Sequence, residues 1–152
     1  MHRILFVCHG NICRSPMAEF VLKELVRRAG LAEAFVIDSQ ACRTDEIGSD
    51  THPGTQRVLR AHGIPFMPRQ ARQIRRDDYA QWDYIIGMDA ENMRDLRRLF
   101  PEDSAGKLHL LLEFAGEQRD VADPWYTGRF EQTYTDVLRG CEGLLAALHD
   151  QM

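Results

Sequence analysis

Cys8 and Arg14 are separated by five residues near the amino end, in the run Cys8-His9-Gly10-Asn11-Ile12-Cys13-Arg14-Ser15-Pro16. A thiolate is a strong nucleophile, and a guanidinium is a planar fork that takes two oxygens of a phosphate. Gly10 and Asn11 are the residue types that tolerate a left-handed curl of the main chain. A short curl closed by a helix start aims consecutive backbone N–H groups at one point, where the helix dipole adds positive potential. The expected ligand is therefore a tetrahedral anion, held by residues His9 to Ser15 with Arg14 as clamp. The same donors favour the thiolate form of Cys8, in line for attack on phosphorus, and stabilise charge on the equatorial oxygens during transfer. With four Cys and 17 Arg in 152 residues, about 0.4 such Cys–Arg pairs arise by chance. The context makes the pair informative: a strand before it, Gly and Asn inside it, Ser-Pro and a helix after it.

Cleaving a phosphate monoester also calls for an acid at the leaving oxygen. Asp123 is the candidate. Pro124 biases it to an extended backbone that projects its carboxyl group. Trp125 and Tyr126 follow, amphipathic rings suited to flank an aromatic ester. Asp120 is the neighbouring rival.

These residues need a scaffold, and the pattern alternates strand and helix. Arg3–Val7 is apolar and β-rich. Ser15 and Pro16 open a helix whose apolar positions run from Met17 to Val26, with Gly30 at its end. Phe35–Ile37 predicts a second strand closing at Ser39, and residues 42–54 a polar loop. Thr55–His62 predicts a helix, and Tyr84–Met88 a third strand. Asp89 caps the helix Ala90–Phe100, which Pro101 stops. Leu108–Leu112 predicts a fourth strand. From Phe130 to Leu148 one apolar stripe marks a long last helix, with Cys141 on its buried side. The expectation is a single three-layer α/β domain over residues 1–152, with a four-stranded parallel sheet and helices on both faces. Such sheets bind ligands beyond the carboxyl ends of their strands, which is where Cys8 stands.

Val7 to Pro16 with Met17-Ala18-Glu19 resembles the signature of the low-molecular-weight protein tyrosine phosphatases. The resemblance runs on through Asp38-Ser39, Glu46-Ile47-Gly48, His62-Gly63-Ile64, Ala71–Ile74, Asp83–Asp89 with Asn92, and Asp123-Pro124-Trp125-Tyr126. It implies a phosphotyrosine phosphatase I-like fold and hydrolysis of phosphotyrosine in proteins through a phosphocysteine intermediate. Cys8 is then the nucleophile, Arg14 the clamp and Asp123 the general acid and base. It assigns Asn11, Ser15 and Ser39 to bracing the loop, and Cys13 to trapping an oxidised Cys8 as a disulfide. His9, Asp45, Trp125 and Tyr126 form the substrate rim. His9 stands where many relatives carry an apolar residue or Thr, Asp45 where several carry an aromatic one, and Arg69 where some carry a bracing His.

Other classes fit less well. The formal charge is −4, against a nucleic-acid binder. No apolar run reaches the ~20 residues of a membrane span, and no signal peptide is read, so a cytoplasmic monomer is expected. Cys8, His9 and Cys13 lack a second pair of ligands, so neither metal nor organic cofactor is expected. An arsenate reductase of this fold needs a relay of further cysteines, and none lies between 43 and 140. A phosphopeptide-binding module or a phosphate carrier does not need Asp123. The expected partners are phosphotyrosine proteins, with a cognate tyrosine kinase among them.

Overall fold

The computed structural model describes residues 1–149. Its element order is β1 (His2–Cys8), α1 (Arg14–Arg28), β2 (Phe35–Ala41), α2 (Pro53–Ala61), β3 (Tyr84–Gly87), α3 (Ala90–Leu99), β4 (Leu108–Leu110), α4 (Pro124–Thr127) and α5 (Phe130–His149). The strands form one sheet in the order β2-β1-β3-β4, and every pairing is parallel. The chain moves outward from β1 to β2, then crosses back to β3 on the other side of β1. The direction of winding therefore reverses between β1 and β3, and a crevice opens beyond their carboxyl ends.

Alternation along β1 builds two cores. Ile4, Phe6 and Cys8 face α1, α2 and α5, packing with Met17, Val21, Leu59, Val137 and Leu144. Leu5 and Val7 face α3 from the opposite side, with Ile85, Met93, Leu96 and Trp82. A central parallel strand covered on both faces reads as a continuous apolar run, as Ile4–Val7 does. Cys141 lies wholly buried in the first core, and burial pushes its thiol up.

Several boundaries differ from the sequence reading. Leu108–Leu112 pairs only as far as Leu110, and a 3-10 turn covers Leu111–Ala115. Leu111 and Leu112 are both fully buried, which an alternating strand with one open face cannot achieve. α1 begins at Arg14, with Cys13 rather than Ser15 at its cap and no side-chain capping bond. The hydroxyl of Ser15 is committed elsewhere, as described below. β2 runs on to Ala41, carrying Ser39 inside the sheet. Residues after Asp123 form a short helix instead of open loop.

The 3-10 turn lies flat on α5. A Cβ at Gly143 would fall 2.0 Å from the carbonyl oxygen of Phe114, and one at Gly140 would fall 2.5 Å from Cγ of Leu111. Backbone cannot move aside as a side chain can. Gly143→Ala is expected to cost about 3 kcal/mol through overpacking, lowering the melting temperature by roughly 10 °C. Thermal unfolding checks this; an unchanged midpoint would mean that α5 and the turn are not in such close contact.

Candidate active site

The segment between β1 and α1 curls as expected, though its two permissive residues divide the work. Asn11 alone takes the left-handed backbone, at φ 58°. Gly10 does not; what it supplies is room, since a Cβ there would sit 3.3 Å from Cγ of Glu46. Among the described residues, no hydrogen bond uses the amides of Gly10 to Arg14 as donors. The curl lines a cavity of about 140 Å³ with Cys8 and Arg14 beneath, Asp123 at the side, and Asp45, Trp125 and Tyr126 at the rim.

The sulfur of Cys8 lies 3.0 Å from the hydroxyl of Ser15 and accepts from the amide of Ser15 at 3.4 Å. The direction of the hydroxyl bond follows from the groups behind it. Glu19, buried on α1, can only accept as a carboxylate, so Ser39 donates to it at 2.6 Å. Ser39 then accepts from Nδ2 of Asn11 at 2.9 Å, and the same Nδ2 donates to Ser15 at 2.8 Å. The hydroxyl proton of Ser15 is thereby left for the sulfur. On its other side, Oδ1 of Asn11 accepts from the guanidinium of Arg69 and from the amide of Arg72 at 3.3 Å. Burial lowers the pKa of Arg69 from its ordinary value. Asn11, Ser15 and Ser39 are thus brought together on the underside of the curl.

Arg14 is almost wholly buried. Its Nη1 donates to Oδ2 of Asp89 at 2.6 Å and to the carbonyl of Val121 at 2.9 Å. Among the described residues, its Nη2 has only a long contact of 3.4 Å with Asp123, and its buried Nε has no partner. One edge of the fork is anchored, and the Nε–Nη2 edge remains for two oxygens of a ligand. Burial works against the charge of Arg14, but Cys8, Asp89 and Asp123 outweigh it and raise its pKa. Asp123 caps α4, accepting from the amide of Trp125 at 3.1 Å, in the extended conformation that Pro124 favours. Asp120 instead accepts from the amide of Ala90 at 3.0 Å, at the start of α3.

At the rim, His9 lies 2.7 Å from Asp45 and 3.3 Å from Glu91. The bond to Asp45 raises the pKa of His9, and the same bond lowers that of Asp45. Trp125 packs edge-on against His52, which stacks on Phe130. Tyr126 is the most exposed of the large apolar side chains, at 82%. Cys13 lies under the loop, and burial pushes its thiol up to about 12.

The sequence reading missed Asp89 and Glu19 as parts of this site. Asp89 was legible only as a helix cap, which it is, accepting from the amide of Asn92 at 2.8 Å. Its second oxygen holds Arg14. Glu19 carried no signal beyond its place in the motif. Among the described residues, no group of three or more His, Cys, Asp or Glu side chains is arranged to hold a metal.

A family model described as low molecular weight phosphotyrosine protein phosphatase matches residues 3–152. The chain belongs to this family. It is 41% identical to the low molecular weight protein-tyrosine-phosphatase YfkJ of Bacillus subtilis, over 99% of this chain and 98% of that protein. It is 40% identical to the low molecular weight phosphotyrosine protein phosphatase of Rattus norvegicus, over 96% and 95% of the two chains. The crystal structure of YfkJ superposes with a TM-score of 0.95, covering 99% of this chain and 96% of that one. The four-stranded parallel sheet and flanking helices are therefore those of the low molecular weight phosphatases. No helix among the described residues is long and apolar enough to cross a membrane.

Proposed function

We propose that this phosphatase hydrolyses phosphotyrosine in proteins, and small aryl phosphates, in two displacements at Cys8. In the first, the sulfur attacks phosphorus as the P–O bond to the phenol breaks, and Asp123 gives its proton to the leaving oxygen. In the second, water attacks phosphorus, the S–P bond breaks, and Asp123 takes the proton. Inorganic phosphate leaves and the Cys8 thiolate is restored. The free amides from Gly10 to Arg14 and the Nε–Nη2 edge of Arg14 hold the three equatorial oxygens throughout.

The observation that carries this reading is the unsatisfied edge of Arg14 in the same cavity as a sulfur held by Ser15 and the carboxyl group of Asp123. No step calls on a metal, so hydrolysis of an aryl phosphate is expected to continue in excess chelator. Asp123→Ala is expected to slow hydrolysis by about 10²–10³-fold for a phenol that leaves poorly, and far less for a nitrophenol, which needs no proton. A leaving-group series measures this. Equal losses across the series would assign the acid elsewhere, with Asp120 the next residue to substitute.

In the same reading the enzyme is a cytoplasmic monomer whose domain spans residues 1–152. Its substrates are phosphotyrosine proteins, with a cognate tyrosine kinase among them. Cys13, which shares the cavity with Cys8, is the thiol that condenses with an oxidised nucleophile. Its raised pKa leaves little thiolate, so that capture is slow.

A further inference from the structure

A second concave surface begins where the catalytic rim ends. Cys42 and Arg43 follow β2 directly, and their amides donate to the carbonyls of Cys8 and His9 at 2.9 and 3.0 Å. The hollow beside them holds about 290 Å³ and is lined by Arg43, Arg76, Arg98, Asp95 and Cys42, among others. Its charges do not cancel. Asp95 is its single carboxylate, paired with Nε of Arg43 at 2.8 Å and Nη2 at 3.0 Å. Arg98 reaches the same carboxylate only at 3.5 Å. Arg76 has no ion-pair or hydrogen-bond partner among the described residues. Three guanidiniums around one carboxylate leave an excess of two positive charges.

Helix α3 measures the distance to the catalytic mouth. Glu91 on its first turn touches His9 at the mouth. Asp95 is four residues further on and Arg98 seven, which at the rise of an α-helix is about 6 and 10 Å along the flank. An extended peptide covers roughly 3.3 Å per residue, so the hollow lies two to three residues from a phosphotyrosine seated over Cys8. At the mouth itself stand Asp45 and Glu91, two half-exposed carboxylates that share the single His9. The flank is thus negative beside the mouth and positive beyond it.

We propose that the hollow at Arg43, Arg76 and Arg98 is a substrate subsite for a carboxylate two or three residues from the phosphotyrosine, and that Asp45 and Glu91 disfavour a carboxylate in the adjacent position. The proposal rests on the phosphotyrosine phosphatase reading and adds a sequence preference to it. Carboxylates suit this hollow because two of its guanidiniums keep donors free in solvent, and a planar fork binds a carboxylate in pairs.

The test uses the full chain and a set of phosphotyrosine peptides of otherwise neutral sequence. A single Glu or Lys is placed one, two or three residues from the phosphotyrosine on either side, and p-nitrophenyl phosphate serves as a substrate without flanks. The expected result is a kcat/KM about fivefold higher for Glu than for Lys at two or three residues on one side, with the order reversed at the adjacent position. The preference should shrink as salt rises, because exposed charges are screened. Arg76→Glu with Arg98→Glu should invert the Glu-to-Lys ratio at the distant positions and leave the ratio at the adjacent position in place. Equal rates for the Glu and Lys peptides in the unaltered enzyme, or a ratio that the double substitution does not move, would overturn the subsite. Failure to hydrolyse p-nitrophenyl phosphate would instead overturn the phosphatase reading itself.

Discussion

Cys8→Ser is expected to abolish turnover of p-nitrophenyl phosphate, by about 10⁴-fold or more, while the protein stays folded. Serine differs from cysteine by one atom and fits the same space at the end of β1, where Cys8 is nearly wholly buried. Its hydroxyl can still accept from the amide and hydroxyl of Ser15, so the curl keeps its shape. What is lost is the nucleophile. Sulfur is intrinsically far more nucleophilic than a hydroxyl oxygen, which would need a general base beside it, and the site places none there among the described residues. The measurement is single-turnover hydrolysis beside a thermal unfolding curve. Acid quenching of the unaltered enzyme should also trap phosphate on Cys8, detectable by mass. Full activity of the serine variant would end the proposed mechanism. Because the oxygen-binding donors survive, the variant should also retain phosphotyrosine proteins and so identify the physiological substrates.

Arg14→Lys is the second large effect, an expected loss of about 10³-fold in kcat from a substitution that keeps the charge. A lysine ammonium can reach Asp89 or a phosphoryl oxygen, but it is a single point and cannot do both. In the native site Nη1 is fixed by Asp89 and Val121, which orients the Nε–Nη2 edge before any ligand arrives. That orientation costs no reorganisation in the transition state. Lysine would also leave the carbonyl of Val121 or the carboxylate of Asp89 short of a donor in a largely dry site, so some stability goes with the rate. Steady-state kinetics with p-nitrophenyl phosphate checks the prediction. The loss should fall mainly on kcat, because the backbone amides still bind the ground-state dianion. A lysine variant within tenfold of the native rate would show that charge alone suffices and that the fork geometry contributes little.

Asp89 explains why the site needs two strands. The catalytic curl follows β1, and Asp89 follows β3, its neighbour in the sheet. The winding reverses between these two strands, so the carboxyl end of β3 is open to receive Arg14. The loop carrying Asp123 then closes the third side, with the carbonyl of Val121 fixing it to Arg14 and the amide of Val121 donating to the carbonyl of Met88 at 2.8 Å. Asp123 and Arg14 are therefore positioned by one set of contacts.

The sequence alone determined the chemistry that local chain geometry can hold. Cys8, Arg14 and the Gly-Asn curl lie within one strand-to-helix turn, whose backbone amides and dipole follow from residue type and spacing. Asp123 was legible for a similar reason, since Pro124 dictates the conformation that projects it. Strand and helix alternation gave the layers, because burial on both faces of a parallel sheet writes continuous apolar runs such as Ile4–Val7. Tertiary structure alone decided the partners that stand far apart along the chain. It turned Ser15 from a helix cap into a donor to sulfur, tied Glu19 through Ser39 and Asn11 to that donor, and set Asp89 against Arg14. Among the described residues it also left Arg76 unpaired, in the hollow that Arg43 lines. The physical reason is that a hydrogen-bond direction or an unspent charge depends on every group within a few ångströms, and those groups come from segments that only the folded sheet brings together.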